Sequence, residues 1–182
     1  MIVVNLFGAP GSGKSTGAAY IFAKLKLAGI NAELVTEFAK DKVYEQSVAP
    51  FKNQLYIAGQ QSFRLSRLLG TCDVAVTDSP ILLSCFYNKT ASEAEAEAFN
   101  ATMQNKHREF TNFNYFISRE KPYNPKGRFQ TEDQANEIAA NQRLIYKYML
   151  ETLGEKMDQF PGTENGYEVI VMDILRRLNN EN

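Results

Sequence analysis

The sequence predicts an α/β fold, a three-layer sandwich in which a five-stranded parallel sheet carries helices on both faces. Three observations lead there. Short β-branched runs recur along the chain, each too short for a helix and bounded by turn residues. Segments of helical period separate them almost throughout, the alternation that builds right-handed βαβ crossovers. The 182 residues are 44% hydrophobic, enough for one sizeable core in one domain. In such sheets ligands bind beyond the carboxyl ends of the strands, so residues that follow a strand matter most.

MIVVNLF (1–7) suits a buried parallel strand, and a glycine-rich loop follows it. The next helix places Ala18, Ile21, Phe22, Leu25 and Ala28 at helical spacing and is expected to stop at Gly29. NAELVTE (31–37) is the expected second strand. Residues 40–50 are polar and suit a short helix ending before Pro50; residues 52–69 form a helix ending at Gly70. CDVAVTD (72–78) is the third strand, ended by Ser79 and Pro80, and a helical run over 81–87 follows. Ser92 caps a helix over 93–109, with Glu95 in the capping-box position. Residues 113–118 are the fourth strand. Thr131 and Gln134 open a capping box for a helix to about residue 153. A loop over 161–166 leads to YEVIVM (167–172), the expected fifth strand, and a short final helix. Leu144, Ile145, Tyr148 and Met149 are expected in the core, as are Phe110, Phe113 and Phe116.

The formal net charge of −1 gives no global basic field for nucleic acid, so attraction to phosphate must be local. Cys72 and Cys85 supply neither a disulfide framework nor a metal spacing and read as small core residues. His107 lies in a polar helical run and reads as a surface residue. No apolar run approaches the roughly 18 residues of a membrane span, and no signal-peptide pattern precedes the first strand. A cytoplasmic, reducing setting without membrane contact is expected.

GAPGSGKS (8–15) matches G-x-x-x-x-G-K-[ST], directly after a strand and opening a helix. Its spelling follows from phosphate binding. Gly8, Ala9, Pro10, Gly11, Ser12 and Gly13 form a loop whose glycines let backbone N–H groups turn inward around phosphate oxygens. The helix N-terminus adds partial positive charge. Lys14 reaches the outer phosphates of ATP, the Ser15 hydroxyl binds Mg²⁺, and Thr16 contacts the inner phosphate.

VTDSP (76–80) sets Asp78 at the end of the third strand, beside the phosphate loop. Asp78 is placed to organise the Mg²⁺ shell and to accept the proton of an attacking hydroxyl; a helix N-cap before Pro80 is the structural alternative. Glu37, ending the second strand, is a candidate for orienting the acceptor or supporting the metal shell, against a solvated glutamate. Asp73 starts its strand, at the wrong end of the sheet; Asp173 would follow the fifth strand or cap the last helix. REKPYNPKGRFQ (119–130) puts Arg119, Lys121, Lys126 and Arg128 on a loop stiffened by Pro122 and Pro125. It reads as a lid over the nucleotide, with Arg128 and Arg119 gripping phosphate oxygens, against a plain basic surface loop. Arg64 and Arg67, three apart on one helix, would line the acceptor side or face solvent.

FGAPGSGKST, VTEFAKD, VAVTDSP and the REKPYNPKGR lid together resemble the P-loop kinases of the nucleoside and nucleotide kinase group, over nearly the whole chain. GAPGSGKSTGAAYIFAKLK, AELVTEFAKD, TDSP and KPYNPKGRFQTE are most similar to the phage-encoded 5-hydroxymethyluracil DNA kinases. That resemblance implies phosphorylation of the hydroxymethyl group of a modified pyrimidine in DNA, in the host cytoplasm, with Lys14, Ser15 and Asp78 in the phosphate, metal and base roles and Glu37 at the acceptor or metal shell. Lys40, Lys42, Arg64, Arg67 and the lid would supply a local basic patch for DNA. Free nucleosides or nucleoside monophosphates are alternative acceptors. An ATPase or switch module acting on a protein partner is the reading from another class. Asn88 and Lys89 begin the guanine-reading N-K-x-D pattern, but the aspartate is absent.

Overall fold

The computed structural model describes residues 1–89, 92–120, 122, 124 and 131–180. Five strands form one sheet: β1 (Ile2–Phe7), β2 (Ala32–Val35), β3 (Val74–Thr77), β4 (Thr111–Ser118) and β5 (Met157–Pro161). Their order is β2-β3-β1-β4-β5, and every pairing is parallel. The helices are α1 (Lys14–Leu27), α2 (Phe38–Tyr44), α3 (Gln54–Ser66), α4 (Leu83–Tyr87), α5 (Glu93–His107), α6 (Glu132–Thr152) and α7 (Glu164–Asn180), with a 3₁₀ turn over Ala49–Lys52. This is the predicted α/β sandwich.

Strand β1 shows how the layers are made. Its residues alternate between faces. Val4 and Leu6 pack with Ile21 and Leu25 of α1 and with Ile170 and Ile174 of α7. Val3 and Phe7 pack on the other face with Leu65 of α3, Leu82, and Tyr146 and Leu150 of α6. Neighbours β3 and β4 cover both edges of β1, so the segments that follow these three strands meet at one edge of the sheet.

The fifth strand is not YEVIVM. It is MDQFP, and residues 167–172 lie inside α7. Tyr167, Ile170, Val171 and Ile174 are buried, while Val169 and Met172 are exposed. Those positions follow i, i+3, i+4, i+7, a helical face. A short apolar run looks the same in a buried strand and a buried helix. The true strand lies on the sheet edge and shows no fully buried residue, so it lacks the apolar signature.

Three further expectations are corrected. Leu144, Ile145 and Tyr148 are exposed; α6 instead buries Ala135, Gln142, Tyr146, Met149 and Leu150. His107 is buried and sits 2.8 Å from the Glu155 carboxylate, a partner 48 positions away. Asp173 neither follows a strand nor caps a helix. It lies within α7 and accepts bonds from Tyr115, Arg176 and Arg177. Cys72 is buried and Cys85 half-buried, both free, and burial pushes the Cys85 thiol up to about 12. Among the described residues, no helix is long and apolar enough to cross a membrane.

Candidate active site

The loop after β1 carries the geometry its sequence implies. Gly8, Gly11 and Gly13 all have positive φ. Gly13 is the N-cap of α1 and offers no side chain to its first turn, which holds no acidic residue. No side chain caps this helix start, and its positive end favours an anion there. Ser15 and Thr16 are exposed there, whereas Gly8, Ala9 and Ser12 are buried. Lys14 Nζ folds over the loop and donates to the carbonyls of Gly8 (2.6 Å) and Ala9 (3.0 Å).

A cleft of about 910 Å³ opens at this edge. Pro10, Gly11 and Gly13 through Thr16 line one side. Glu37 and Lys40 of the β2–α2 region, Tyr44, Phe51, Lys52 and Tyr87 line others. A smaller cavity of about 200 Å³ adjoins it, lined by Ser15, Glu37, Lys40 and Asp78 among others. Glu37 therefore borders both spaces. It also faces Tyr87, whose hydroxyl is pushed up to about 12, mainly by burial and then by the Glu37 charge.

Asp78 follows β3, the immediate neighbour of β1. It is only 4% exposed, and its Oδ1 is buried without a hydrogen-bond partner among the described residues. An orphaned carboxylate oxygen is costly unless something binds it. Ser15 shares its cavity, and this pair suits a metal shell completed by phosphate oxygens and water. Among the described residues no cluster of three or more His, Cys, Asp or Glu side chains forms a metal cage. Mg²⁺ does not need one, since it usually arrives with one or two protein ligands and the nucleotide.

Arg119 follows β4 at the same edge of the sheet, and its guanidinium donates to Asn136 of α6. Lys121, Lys126 and Arg128 lie outside the described residues. Arg64 is held away from the cleft: it pairs with Asp41, donates to Thr36, and lies 5.3 Å from the Phe38 ring centroid. Neither Arg64 nor Arg67 lines the cleft. The aromatic wall of Tyr44, Phe51 and Tyr87 was not legible as a site, because these residues end α2, lie in the 3₁₀ turn and end α4, three separate short helical segments with no motif. Gly162 and Tyr167, which back the phosphate loop, were hidden by the misplaced fifth strand.

The sequence matches no curated protein. The structure is similar to that of deoxyadenosine kinase from M. mycoides with bound dATP: the TM-score is 0.58 at 16% identity, over 97% of this chain and 99% of that one. At that identity the likeness establishes a shared α/β fold. A family described as an AAA domain matches residues 3–155, well over half of the sequence, and the chain belongs to that family.

Proposed function

We propose that the chain is an ATP- and Mg²⁺-dependent phosphotransferase that moves the γ-phosphoryl group to a hydroxyl of a nucleoside-type acceptor. The observation that carries this reading is the position of Glu37 on the boundary between the open cleft and the cavity holding Ser15 and Asp78. An acceptor entering by the cleft meets the phosphate loop and a carboxylate together. The kinase activity of the M. mycoides protein, on the same fold, supports the same class.

Each residue then has a task. The loop N–H groups and Lys14 hold the phosphates, with Lys14 exchanging its bonds to Gly8 and Ala9 for phosphate oxygens. Ser15 and Asp78 would hold Mg²⁺, which would supply charge neutralisation at the phosphates. The acceptor oxygen attacks the γ-phosphorus while Glu37 or Asp78 takes its proton; the bond to the β–γ bridging oxygen breaks and ADP leaves. Glu37 is favoured for the proton because it lines the cleft, and Asp78 for the metal because it lines only the smaller cavity. Arg119, Arg128, Lys121 and Lys126 would screen the transferred charge from water.

For the acceptor we favour the hydroxymethyl group of 5-hydroxymethyluracil in phage DNA. The sequence resemblance supports this, and so do Lys40, Lys52 and Lys89 lining the cleft alongside Tyr44 and Phe51, a combination that suits a strand of bases and phosphates. A transfer assay from γ-labelled ATP to hydroxymethyluracil DNA, plain DNA, nucleosides and nucleoside monophosphates tests it. Label should appear on the modified DNA; transfer only to monophosphates would remove the DNA reading. Lys14→Ala should abolish transfer. Glu37→Gln should lower kcat by about 10²–10⁴, and Asp78→Asn should stop turnover while ATP still binds. Near wild-type rates in Asp78→Asn would reduce Asp78 to a cap. The AAA-domain family favours a second reading, an ATPase module acting on a protein, and hydrolysis indifferent to every acceptor would select it.

A further inference from the structure

We infer that Tyr167 is a positioning residue of the phosphate loop: its hydroxyl holds the Gly13–Lys14 peptide from behind, so that the Lys14 N–H faces bound phosphate. The inference rests on the reading of this loop as a nucleotide site. Tyr167 Oη donates to the Gly13 carbonyl at 3.0 Å, across 154 positions of sequence. The same carbonyl accepts from the Gly17 N–H at 2.8 Å. Two donors converging on one oxygen fix its direction.

The consequence follows from peptide geometry. The unit is planar, and no peptide bond among the described residues is cis. Its C=O and N–H therefore point to opposite sides. With the Gly13 oxygen tied back to α7, the Lys14 N–H is turned to the front of the loop. The preceding peptide is treated similarly. A Cβ placed on Gly162 would collide with the Ser12 carbonyl oxygen, so that oxygen rests against the β5–α7 connection and the Gly13 N–H faces away from it.

The glycines record the same contact. A Cβ on Gly13, where φ is +99°, would collide with the Tyr167 hydroxyl. A Cβ on Gly17 would come within 2.7 Å of the Tyr167 ring. Gly17 lies outside G-x-x-x-x-G-K-[ST], so phosphate binding gives no reason for it; the tyrosine does. The ring is buried under α1, with Tyr20 packed at 6.0 Å between centroids.

The test is Tyr167→Phe, which keeps the ring on Gly17 and removes only the hydroxyl. In nucleotide-free protein the Lys14 and Gly17 backbone amide resonances should shift while those of β2 do not. The dissociation constants for ATP and for inorganic pyrophosphate should both rise about tenfold, with unchanged far-ultraviolet circular dichroism. Gly17→Ala, which displaces the ring, should weaken both ligands in the same ratio. Unshifted Lys14 and Gly17 amides, or wild-type affinity for pyrophosphate in Tyr167→Phe, would overturn the inference. Failure of the wild-type chain to bind ATP would instead remove the kinase reading; the amide shifts, recorded without nucleotide, still decide the role of the Tyr167 bond.

Discussion

Tyr146 carries a hydroxyl that works against stability on a ring that packs in the core. It is fully buried, its ring 4.9 Å from Phe7, and its hydroxyl finds no hydrogen-bond partner among the described residues. Burial raises its pKa well above the usual phenol value, so it stays neutral. Tyr146→Phe keeps the ring and removes a desolvated hydroxyl. It should stabilise the fold by about 1 kcal/mol, read from urea midpoints at constant slope. Gln142, one helical turn earlier, is also fully buried, and its amide works against the upward shift of the Tyr87 hydroxyl, though neither amide atom makes a well-formed hydrogen bond among the described residues. Legibility at this scale depends on how far away the partner lies. Lys14, Ser15 and Asp78 were readable because a contiguous motif and a strand end name their surroundings. His107 and Tyr167 were not, because Glu155 and Gly13 lie 48 and 154 positions away.

Helix α6 shows what local signals do and do not settle. Its start was readable: the Thr131 hydroxyl accepts from the Gln134 N–H, and the Gln134 side chain accepts from the Thr131 N–H. Thr131→Ala should cost about 1 kcal/mol in urea unfolding; no change would mean that the first turn adds nothing to the folded state. Its rotation was not readable. Leu144 and Tyr148 form one apolar stripe, and Tyr146 with Leu150 another, both at helical spacing. Only the sheet chooses between them, through Phe7 and Val3. Helix α7 failed differently. Its apolar residues sit close enough together to pass for a strand, whereas β5, on the sheet edge, carries Asp158 and Gln159 in place of a β-branched run.

Across the whole molecule, the two edges of the sheet divide the labour. The carboxyl edge carries the phosphate loop, Glu37 and Asp78. Toward the other edge, Asn5 of β1 donates to Asn112 and Asn114 of β4, and Asn114 donates to Glu155 at 2.7 Å, beside His107. Burial alone would raise the Glu155 carboxyl pKa, but the His107 bond and charge, with Asn114 and Asn112, hold it below the ordinary 4.5. A depressed folded pKa gives stability that is present above the unfolded value and lost as pH falls through the folded one. Stability should therefore decline as pH drops below about 4.5. Glu155→Gln should flatten that decline in urea midpoints measured across the acid range. An unchanged acid slope would place the proton uptake elsewhere.

The bond between Tyr167 and Gly13 also has a consequence for synthesis. A ribosome makes the phosphate loop 154 residues before the tyrosine that backs it. All of that intervening segment is thus made before the loop acquires its backing. Ligand added during translation should give little protection to growing chains and much more to released ones, because mass action rewards only a conformer that already binds.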